Sequence, residues 1–246
     1  MGRVVFLGAT RGMGRAISRA MAERGDAIVL LGRQQADLER SADDLRIRGG
    51  AAKIGTAVCD LLKPECFDSA LSEAEAFLGG IDTAVVTAGL FGTQKQLECD
   101  QDRLAQVLTT NFTNTILFCE ALRRRLLASG GGTICVFSSV AGDRGRKPVV
   151  LYGASKAGLS HYLEGLDHRY RSEGLKVVNV KPGFIRTSMT AGLAQPPFSA
   201  DPEDTVGPVL RGIDRGHPVV YTPAIWGAVM GVIRWLPRMI MRRVSF

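Results

Sequence analysis

Short apolar runs alternate with longer amphipathic stretches along most of this 246-residue chain, and this alternation limits the fold more than any other feature. The apolar runs are rich in Val and Ile, as is typical of buried strands, and the stretches between them have helical spacing. Strands that alternate with helices in this way form a parallel sheet covered by helices on both faces. We therefore predict a doubly wound α/β domain over residues 1–222, followed by a tail over 223–246. The predicted strands are 3–7, 27–31, 53–59, 82–87, 133–138 and 175–180, and the predicted helices are 12–24, 35–48, 64–78, 101–128 and 152–173.

Glycines follow four of the predicted helices, where a left-handed residue commonly closes the last helical turn. They account for part of an unusually high glycine content, 29 residues, which indicates many tight turns. Their positions agree with the predicted helix ends: Gly25, Gly49-Gly50, Gly79-Gly80 and Gly130-Gly131-Gly132.

The composition excludes several classes of protein. With 46% hydrophobic and 22% charged residues, the chain is not largely disordered. Its five cysteines form no Cys-x-x-Cys pair and its three histidines no His-x-x-x-His, so we predict no metal site and reduced thiols. The first apolar run begins within three residues of the start and is broken by glycines. It is too short for a signal peptide, and we expect a cytoplasmic protein.

A glycine-rich loop directly follows the first predicted strand and opens a helix. Its missing side chains let the backbone approach a pyrophosphate, and the helix N-terminus offers free N–H groups and the positive end of its dipole. Its position at the start of a βαβ unit favours a dinucleotide site over a simple turn. The loop residues are Gly8, Ala9, Thr10, Arg11, Gly12, Met13 and Gly14.

The end of the second strand indicates which dinucleotide is preferred. Sites for NAD place an acidic residue there against the ribose 2′-hydroxyl, whereas this strand runs into Gly32-Arg33. Arg11 supplies a second cation, and two guanidiniums suit a 2′-phosphate because each binds it bidentately. We predict NADP(H) as the cofactor; the alternative is two solvated surface arginines.

A second constellation has the residue types of an acid–base site. Tyr152 and Lys156 stand four residues apart and so share one face of a helix. A nearby ammonium stabilises phenolate and is expected to lower the tyrosine pKa. Tyr152 is then a candidate general acid for an alkoxide formed by hydride transfer, and Ser139, at a strand end, a candidate ligand of the substrate oxygen.

With these motifs the chain resembles the short-chain dehydrogenase/reductase family as far as about residue 222. The family's glycine motif corresponds to Leu7-Gly8 through Gly14, and its Asn-Asn-Ala-Gly motif to Val86-Thr87-Ala88-Gly89. Its Pro-Gly motif corresponds to the segment that begins at Pro182-Gly183 and ends at Ile185-Arg186-Thr187. Its catalytic tetrad corresponds to Asn111, Ser139, Tyr152 and Lys156.

The resemblance implies a Rossmann fold and hydride transfer between a nicotinamide and a carbonyl or alcohol carbon. It implies that Asp60 contacts the adenine, Asn111 anchors a proton-relay water, Lys156 also binds the nicotinamide ribose and Thr187 contacts the carboxamide. It also implies a homodimer built through the long helices. The further cofactor-binding residues that it implies are Ala88, Gly89, Pro182, Gly183 and Ile185.

The chain departs from the family pattern at two places. Leu7 stands where the family has Thr, and Val86-Thr87 stands where it has Asn-Asn. Those polar residues tie the first and fourth strands together. We therefore expect lower local rigidity, with the chemistry unaffected.

The tail carries much of the net charge and no acidic residue. Four arginines after Gly216 supply +4 of the total +7, and Trp226 and Trp235 lie among apolar residues. The uncharged stretch 218–233 has 16 residues, fewer than the roughly 20 that span a bilayer. Two interpretations stay open: a segment in an anionic membrane interface, or a helix packed against the body or a second subunit.

The tail, with Ser-Ser-Val-Ala-Gly before the tyrosine, is similar to reductases that act on a polyprenyl-phosphate-linked keto-pentose. The segment 188–200, at the position of the family's substrate cover, is also apolar. The sequence thus predicts an NADPH-dependent carbonyl reductase with a small-molecule or lipid-linked substrate. The alternatives are a ketoacyl-thioester reductase that uses an acidic carrier protein, or a non-catalytic NADP sensor. A nucleic-acid partner is disfavoured because the basic tail lacks interleaved polar residues.

Overall fold

Seven parallel strands form the centre of the molecule, in the order β3-β2-β1-β4-β5-β6-β7. This computed structural model describes residues 2–50 and 52–244; Met1 and Ala51 of the predicted domain, and Ser245 and Phe246 of the predicted tail, lie outside the described residues. The strands are β1 (Arg3–Leu7), β2 (Ala27–Gly32), β3 (Ile54–Val58), β4 (Thr83–Val86), β5 (Gly132–Phe137), β6 (Leu175–Pro182) and β7 (Val219–Thr222).

Helices cover both faces of the sheet, as the alternating pattern predicts. They are α1 (Gly12–Glu23), α2 (Gln35–Gly49), α3 (Phe67–Leu78), α4 (Gln94–Cys99), α5 (Gln101–Leu108), α6 (Asn114–Ala128), α7 (Val150–Tyr170), α8 (Val206–Arg215), α9 (Ile225–Ile233) and α10 (Arg238–Met241). The doubly wound α/β prediction is confirmed, and the single domain is a Rossmann-like fold.

Successive residues of a strand enter different cores, because side chains alternate between the two faces of a sheet. Val5 and Leu7 pack with α3, α6 and α7 on one face. Val4 and Phe6 pack with α1, α2 and α8 on the other. The near-continuous apolar runs are therefore needed to bury both faces of the same strands.

The predicted helix ends are also found. Gly25, Gly50, Gly79 and Gly130 have φ values of 88°, 56°, 76° and 90°, in the left-handed region that closes a helix. The predicted helix 101–128 is interrupted, because a π-helical turn over Thr109–Thr113 separates α5 from α6.

The tail packs against the domain through α9. Trp226, Met230 and Ile233 are buried and form a small apolar cluster with Val140. Further along, the guanidinium of Arg144 donates to the carbonyl of Leu236 at 2.8 Å. Of the two interpretations of the tail, packing against the body thus describes its first turns. No helix within the described ranges 2–50 and 52–244 has the length and apolar character needed to cross a membrane.

The sheet order places a crevice at one end of the molecule. The chain winds from β1 toward β3 on one side and from β4 toward β7 on the other. Ligands of open α/β sheets bind at such a reversal, outside the carboxyl ends of the strands. The glycine loop after β1 and the Ala88-Gly89 segment after β4 flank this crevice.

Candidate active site

A groove of about 500 Å³ runs along the carboxyl ends of β1 to β4. Residues of the loops that follow these strands line it, and it is long enough for an extended nucleotide. Seven of the predicted cofactor residues line it: Gly8, Thr10, Arg11, Arg33, Asp60, Ala88 and Gly89.

Two glycines of the loop are required by its packing against β4. A Cβ atom on Gly8, whose φ is 101°, would lie 2.5 Å from the backbone nitrogen of Ala88. One on Gly14 would lie 2.2 Å from the carbonyl oxygen of Gly8. Gly12 has a φ of 52°, and its Cβ would contact the Thr187 side chain at 3.1 Å. Gly12 and Gly14 therefore shape the loop, while neither lines the groove.

Thr87 joins the glycine loop to the fourth strand. Its hydroxyl donates to the carbonyl oxygen of Gly8 at 2.9 Å, and its backbone N–H donates to the carbonyl of Leu7, also at 2.9 Å. A polar link between the two strands is therefore present despite the departure from the family pattern, and the expected loss of local rigidity stays a prediction. Thr87 supplies the polar link between the two strands that Leu7 and Val86 cannot.

The far end of the groove holds the two predicted phosphate-binding arginines and an acid that sequence reasoning missed. Arg33 is exposed, and Arg11 lies 3.7 Å from Asp37, which also pairs with Arg40. Asp37 stands in the first turn of α2, a usual place for an acid. The preference for acids in a first helical turn could have placed Asp37 at the start of α2. It gives no indication that Asp37 lies close to Arg11.

Asp60 lies at the side of the groove with its carboxylate already engaged. One oxygen accepts from the backbone N–H of Leu62 at 3.0 Å, which orders the turn after β3. The backbone N–H of Asp60 donates to the sulfur of Cys66 at 3.3 Å. Asp60, the predicted adenine contact, is thus held in place by hydrogen bonds at the side of the groove.

A larger and mostly apolar cavity of about 840 Å³ adjoins the groove. Thr87, Gly89, Leu90 and Met189 line both spaces, so the groove opens into the cavity. The cavity brings together Ser139, Tyr152 and Lys156. Its wall also holds five more of the predicted cofactor residues: Met13, Pro182, Gly183, Ile185 and Thr187.

Tyr152 stands in this cavity with its ring edge-on to Phe91, the ring centroids 5.0 Å apart. Burial raises the pKa of Tyr152 to about 12, and a hydrogen bond with Ser139 opposes that rise. The direction is opposite to the one expected from the Lys156 ammonium, because desolvation of the phenolate outweighs other effects. The hydroxyl is therefore protonated at neutral pH.

Lys156 is buried one helical turn beyond Tyr152. Its Nζ donates to the backbone carbonyl of Phe137 at 2.9 Å and lies 6.0 Å from the centre of the Tyr152 ring. Burial lowers the pKa of Lys156 to about 8. Its charge is therefore sensitive to pH near neutrality.

Asn111 lies in the π-helical turn and has no exposed surface. Its side-chain amide donates to the carbonyl of Leu90 and accepts from the N–H of the same residue, both at 2.7 Å. Because both ends of the amide are engaged, the side chain positions the loop after β4. π-Turns inside helices are frequent at functional sites.

Segment 188–200 and the tail form the outer wall of the cavity. Phe198 and Trp226 meet edge-on with centroids 6.4 Å apart, and the indole N–H donates to the Phe198 carbonyl at 3.3 Å. Arg186 and Asp201 close the base of this segment through a bidentate ion pair. Sequence reasoning missed Trp226, Ile233, Leu236 and Arg146 as cavity residues, because only the folded tail and loop bring them there.

Within residues 2–50 and 52–244, no three His, Cys, Asp or Glu side chains are grouped so that they could hold a metal ion. All five cysteines are free thiols.

Comparison with known proteins agrees with this geometry. The short-chain dehydrogenase family matches residues 3–197. An uncharacterized oxidoreductase of Mycobacterium tuberculosis is 30% identical over 98% of this chain and 96% of its own length. Carbonyl reductase family member 4 of Danio rerio is 35% identical over 78% of each. A crystal structure of a short-chain type dehydrogenase/reductase from Mycobacterium marinum superimposes with a TM-score of 0.79 at 26% identity, over 88% of this chain and 91% of that one. The chain therefore belongs to the short-chain dehydrogenase/reductase family, oxidoreductases that act on CH–OH and C=O groups with a nicotinamide nucleotide.

Proposed function

We propose that the chain is an NADPH-dependent reductase of an apolar ketone. The observation that carries the proposal is a buried tyrosine, protonated at neutral pH, at the junction of a nucleotide groove and an apolar cavity. A protonated hydroxyl suits the donor that carbonyl reduction requires. The similarity to carbonyl reductase family member 4 also supports reduction of a carbonyl group.

The residues divide the work of proton delivery. Ser139 holds the substrate oxygen, and Tyr152 donates its proton to that oxygen as negative charge develops. Lys156 stabilises the resulting phenolate, which makes proton transfer easier. Before the reaction, the effect of the Lys156 ammonium on the pKa of Tyr152 is smaller than that of desolvation. Asn111 fixes the loop after β4, and its role as anchor of a proton-relay water stays a prediction from the family resemblance. When bound, the nicotinamide supplies the hydride.

The residues present fit a dinucleotide. The closely packed glycines leave the backbone of the loop bare, and the adjoining groove opens into the cavity where Tyr152 stands. Gly8, Thr10 and the N-terminus of α1 would hold the pyrophosphate, Asp60 the adenine and Thr187 the carboxamide. The wall around the nicotinamide would be formed by five further predicted residues: Ala88, Gly89, Pro182, Gly183 and Ile185.

NADP preference rests on Arg11 and Arg33, which stand at the end of the groove where a 2′-phosphate would lie. Asp37 offsets part of the Arg11 charge at 3.7 Å, so exposed Arg33 is the stronger determinant. Titrations that follow nicotinamide fluorescence measure the affinities for NADPH and NADH. We expect NADPH to bind at least about tenfold more tightly than NADH, and Arg33→Gln to remove most of the difference. Equal binding of the two by the unchanged protein would contradict the preference.

Turnover is tested with NADPH and a set of ketones that includes long-chain ketones and an acetoacetyl thioester. The apolar cavity favours the long-chain ketones. Preferred turnover of the thioester would instead support a ketoacyl-thioester reductase. NADPH binding without any turnover would support the sensor alternative.

A membrane-facing role of the tail, with a lipid-linked substrate, belongs to the same proposal. Beyond the buried face of α9, the side chains of Trp235 and Met239 are 88% and 71% exposed, among arginines. This combination suits an anionic bilayer surface. Co-sedimentation with phosphatidylglycerol vesicles tests it, with Trp235→Ser/Met239→Ser as the variant. Truncation at residue 221 would also remove Trp226 from the cavity, so it is the poorer test. Equal recovery of both proteins in the supernatant would remove the idea.

The homodimer stays a prediction from the family resemblance. It is checked by measuring the mass of the purified protein in solution. A monomer at micromolar concentration would contradict it.

A further inference from the structure

Arg146 occupies an unusual position in the large cavity. It belongs to the segment that joins Ser139 to Tyr152, and it precedes the short 3₁₀ turn Lys147–Val149 that leads into α7. Its side chain lines the same cavity as those two residues. A cation thus stands in a wall that is otherwise mostly apolar.

The guanidinium of Arg146 forms no hydrogen bond and no ion pair within the part of the chain that the structure describes. Its Nε is buried without a hydrogen bond. The side chain also takes part in none of the ion pairs. Neighbouring Arg144, by contrast, donates to the carbonyl of Leu236. A guanidinium left unpaired in a mostly apolar wall costs free energy, so a group that pairs with it would be favoured.

The charges around the cavity favour an anion as that group. The described residues that line it include two cations, Arg146 and Lys156, and no carboxylate. Lys156 is engaged with the carbonyl of Phe137. Asp143, an acid whose charge acts on Arg146, is also engaged: one oxygen lies 2.5 Å from Nζ of Lys181, and the other accepts from the hydroxyl of Tyr221 at 2.8 Å. Arg146 is the cation left to a ligand.

We propose that Arg146 binds an anionic group of the substrate, a carboxylate or a phosphate, while the apolar wall holds the rest of the molecule. A guanidinium fits both groups bidentately. The inference rests on the proposed function for the identity of the ligand as substrate. It narrows the substrate class from apolar ketones to apolar ketones that carry an acid group.

Binding is measured without turnover, through the fluorescence of Trp226 in the cavity wall. The chain has two tryptophans, and Trp235 is exposed, so Trp235→Phe leaves Trp226 as the only reporter. The probes are octanol, octanoate and octyl phosphate, which share an apolar chain and differ in the head group. The protein is otherwise the full chain.

In this background Arg146→Gln is compared with Arg146→Lys and with Lys147→Gln. Lys147 is exposed and does not line the cavity, so its variant removes an equal charge from the adjacent position. We expect Arg146→Gln to weaken binding of octanoate, octyl phosphate or both by at least about tenfold, with octanol unchanged. Arg146→Lys retains part of the affinity, and Lys147→Gln retains all of it.

A loss confined to one anion supports the proposal and identifies the head group. Equal loss for octanol and the anions would show a structural role, and unchanged binding in Arg146→Gln would show no role; either result overturns the proposal. NADPH oxidation with methyl octyl ketone and with the keto acid in which a carboxylate replaces its terminal methyl group gives the kinetic counterpart. Anion binding that depends on Arg146, without turnover of either ketone, would retain the site and reject the reductase.

Discussion

The indole of Trp226 lies directly on the backbone of Gly183: a Cβ atom at Gly183 would be 1.9 Å from the indole Nε1. Gly183 follows β6 in the predicted cofactor motif, and Trp226 belongs to the tail. The glycine therefore makes room for the tail, and α9 becomes a wall of the cavity.

Gly183→Ala is expected to push α9 away from the cavity. Overpacking of this kind typically lowers the free energy of unfolding by about 1–3 kcal/mol. Displacement of the indole into water would also shift the Trp226 emission to longer wavelength in a Trp235→Phe background. Urea denaturation and fluorescence spectra check both effects.

Gly231→Ala provides the control for this substitution. Gly231 lies in the same helix with no atom within 4 Å of an added Cβ, so we expect a stability gain of up to about 1 kcal/mol. Combining Gly183→Ala with Trp226→Ala relieves the clash, and the two losses should sum to more than the double variant shows. Strict additivity would contradict the contact.

Tyr152→Phe should reduce ketone turnover by about 10²–10⁴-fold, because it removes the proton donor. The ring and its edge-on contact with Phe91 are retained, so the Kd for NADPH should change little. Steady-state kinetics and fluorescence titration measure the two quantities. Tyr162→Phe is the matched control, because the Tyr162 hydroxyl donates to Glu120 outside the cavity. Turnover retained in Tyr152→Phe would reject the assigned role.

Thr87→Val tests the link between the glycine loop and β4. The shape is conserved while the donor to the Gly8 carbonyl is lost, so we expect unfolding to be easier by about 1 kcal/mol. A looser loop should also weaken NADPH binding about threefold to tenfold. Thr87→Ser keeps the hydroxyl and should keep both properties. If the serine variant were as weak as the valine variant, methyl packing rather than the hydrogen bond would be responsible.

Much of the fold could be predicted because its signals are local and repeated. Val4 to Leu7 enter two cores, which makes the strand apolar throughout, and the glycines after helices have the φ values that their positions indicate. Strand β7 was not predicted: it has four residues, and its pairing with β6 provides what its own pattern lacks. Helix α8 contains Gly207, Pro208 and Gly212, which weaken its helical signal.

The candidate site was predictable only where a motif fixes a residue to a strand end or a helix face. Ser139 and Tyr152 line the same cavity because one lies two residues beyond the end of β5 and the other lies in α7. The sequence pattern gives no signal for Arg146, whose Nε is buried by the fold. The choice between the two interpretations of the tail around Trp226 depends on how α9 docks. The pKa of Tyr152 depends on burial, which no spacing of residues reports.

Lys156→Met should stabilise the protein at pH 7 while abolishing activity. Burial lowers the pKa of Lys156 from 10.5 to about 8, so between these values the folded state binds fewer protons than the unfolded state. Wild-type stability is therefore reduced by this residue below pH 8 and recovers as the pH rises toward 10.5.

After allowing for the lost hydrogen bond to Phe137, we expect Lys156→Met to be more stable by about 1–2 kcal/mol at pH 7. The advantage should shrink by pH 9.5. Urea denaturation at the two pH values measures it, with Lys176→Met, at an exposed position on β6, as the control for the loss of a lysine side chain. A variant less stable than wild type at pH 7 would show that the buried ammonium contributes more through its contacts than its desolvation costs.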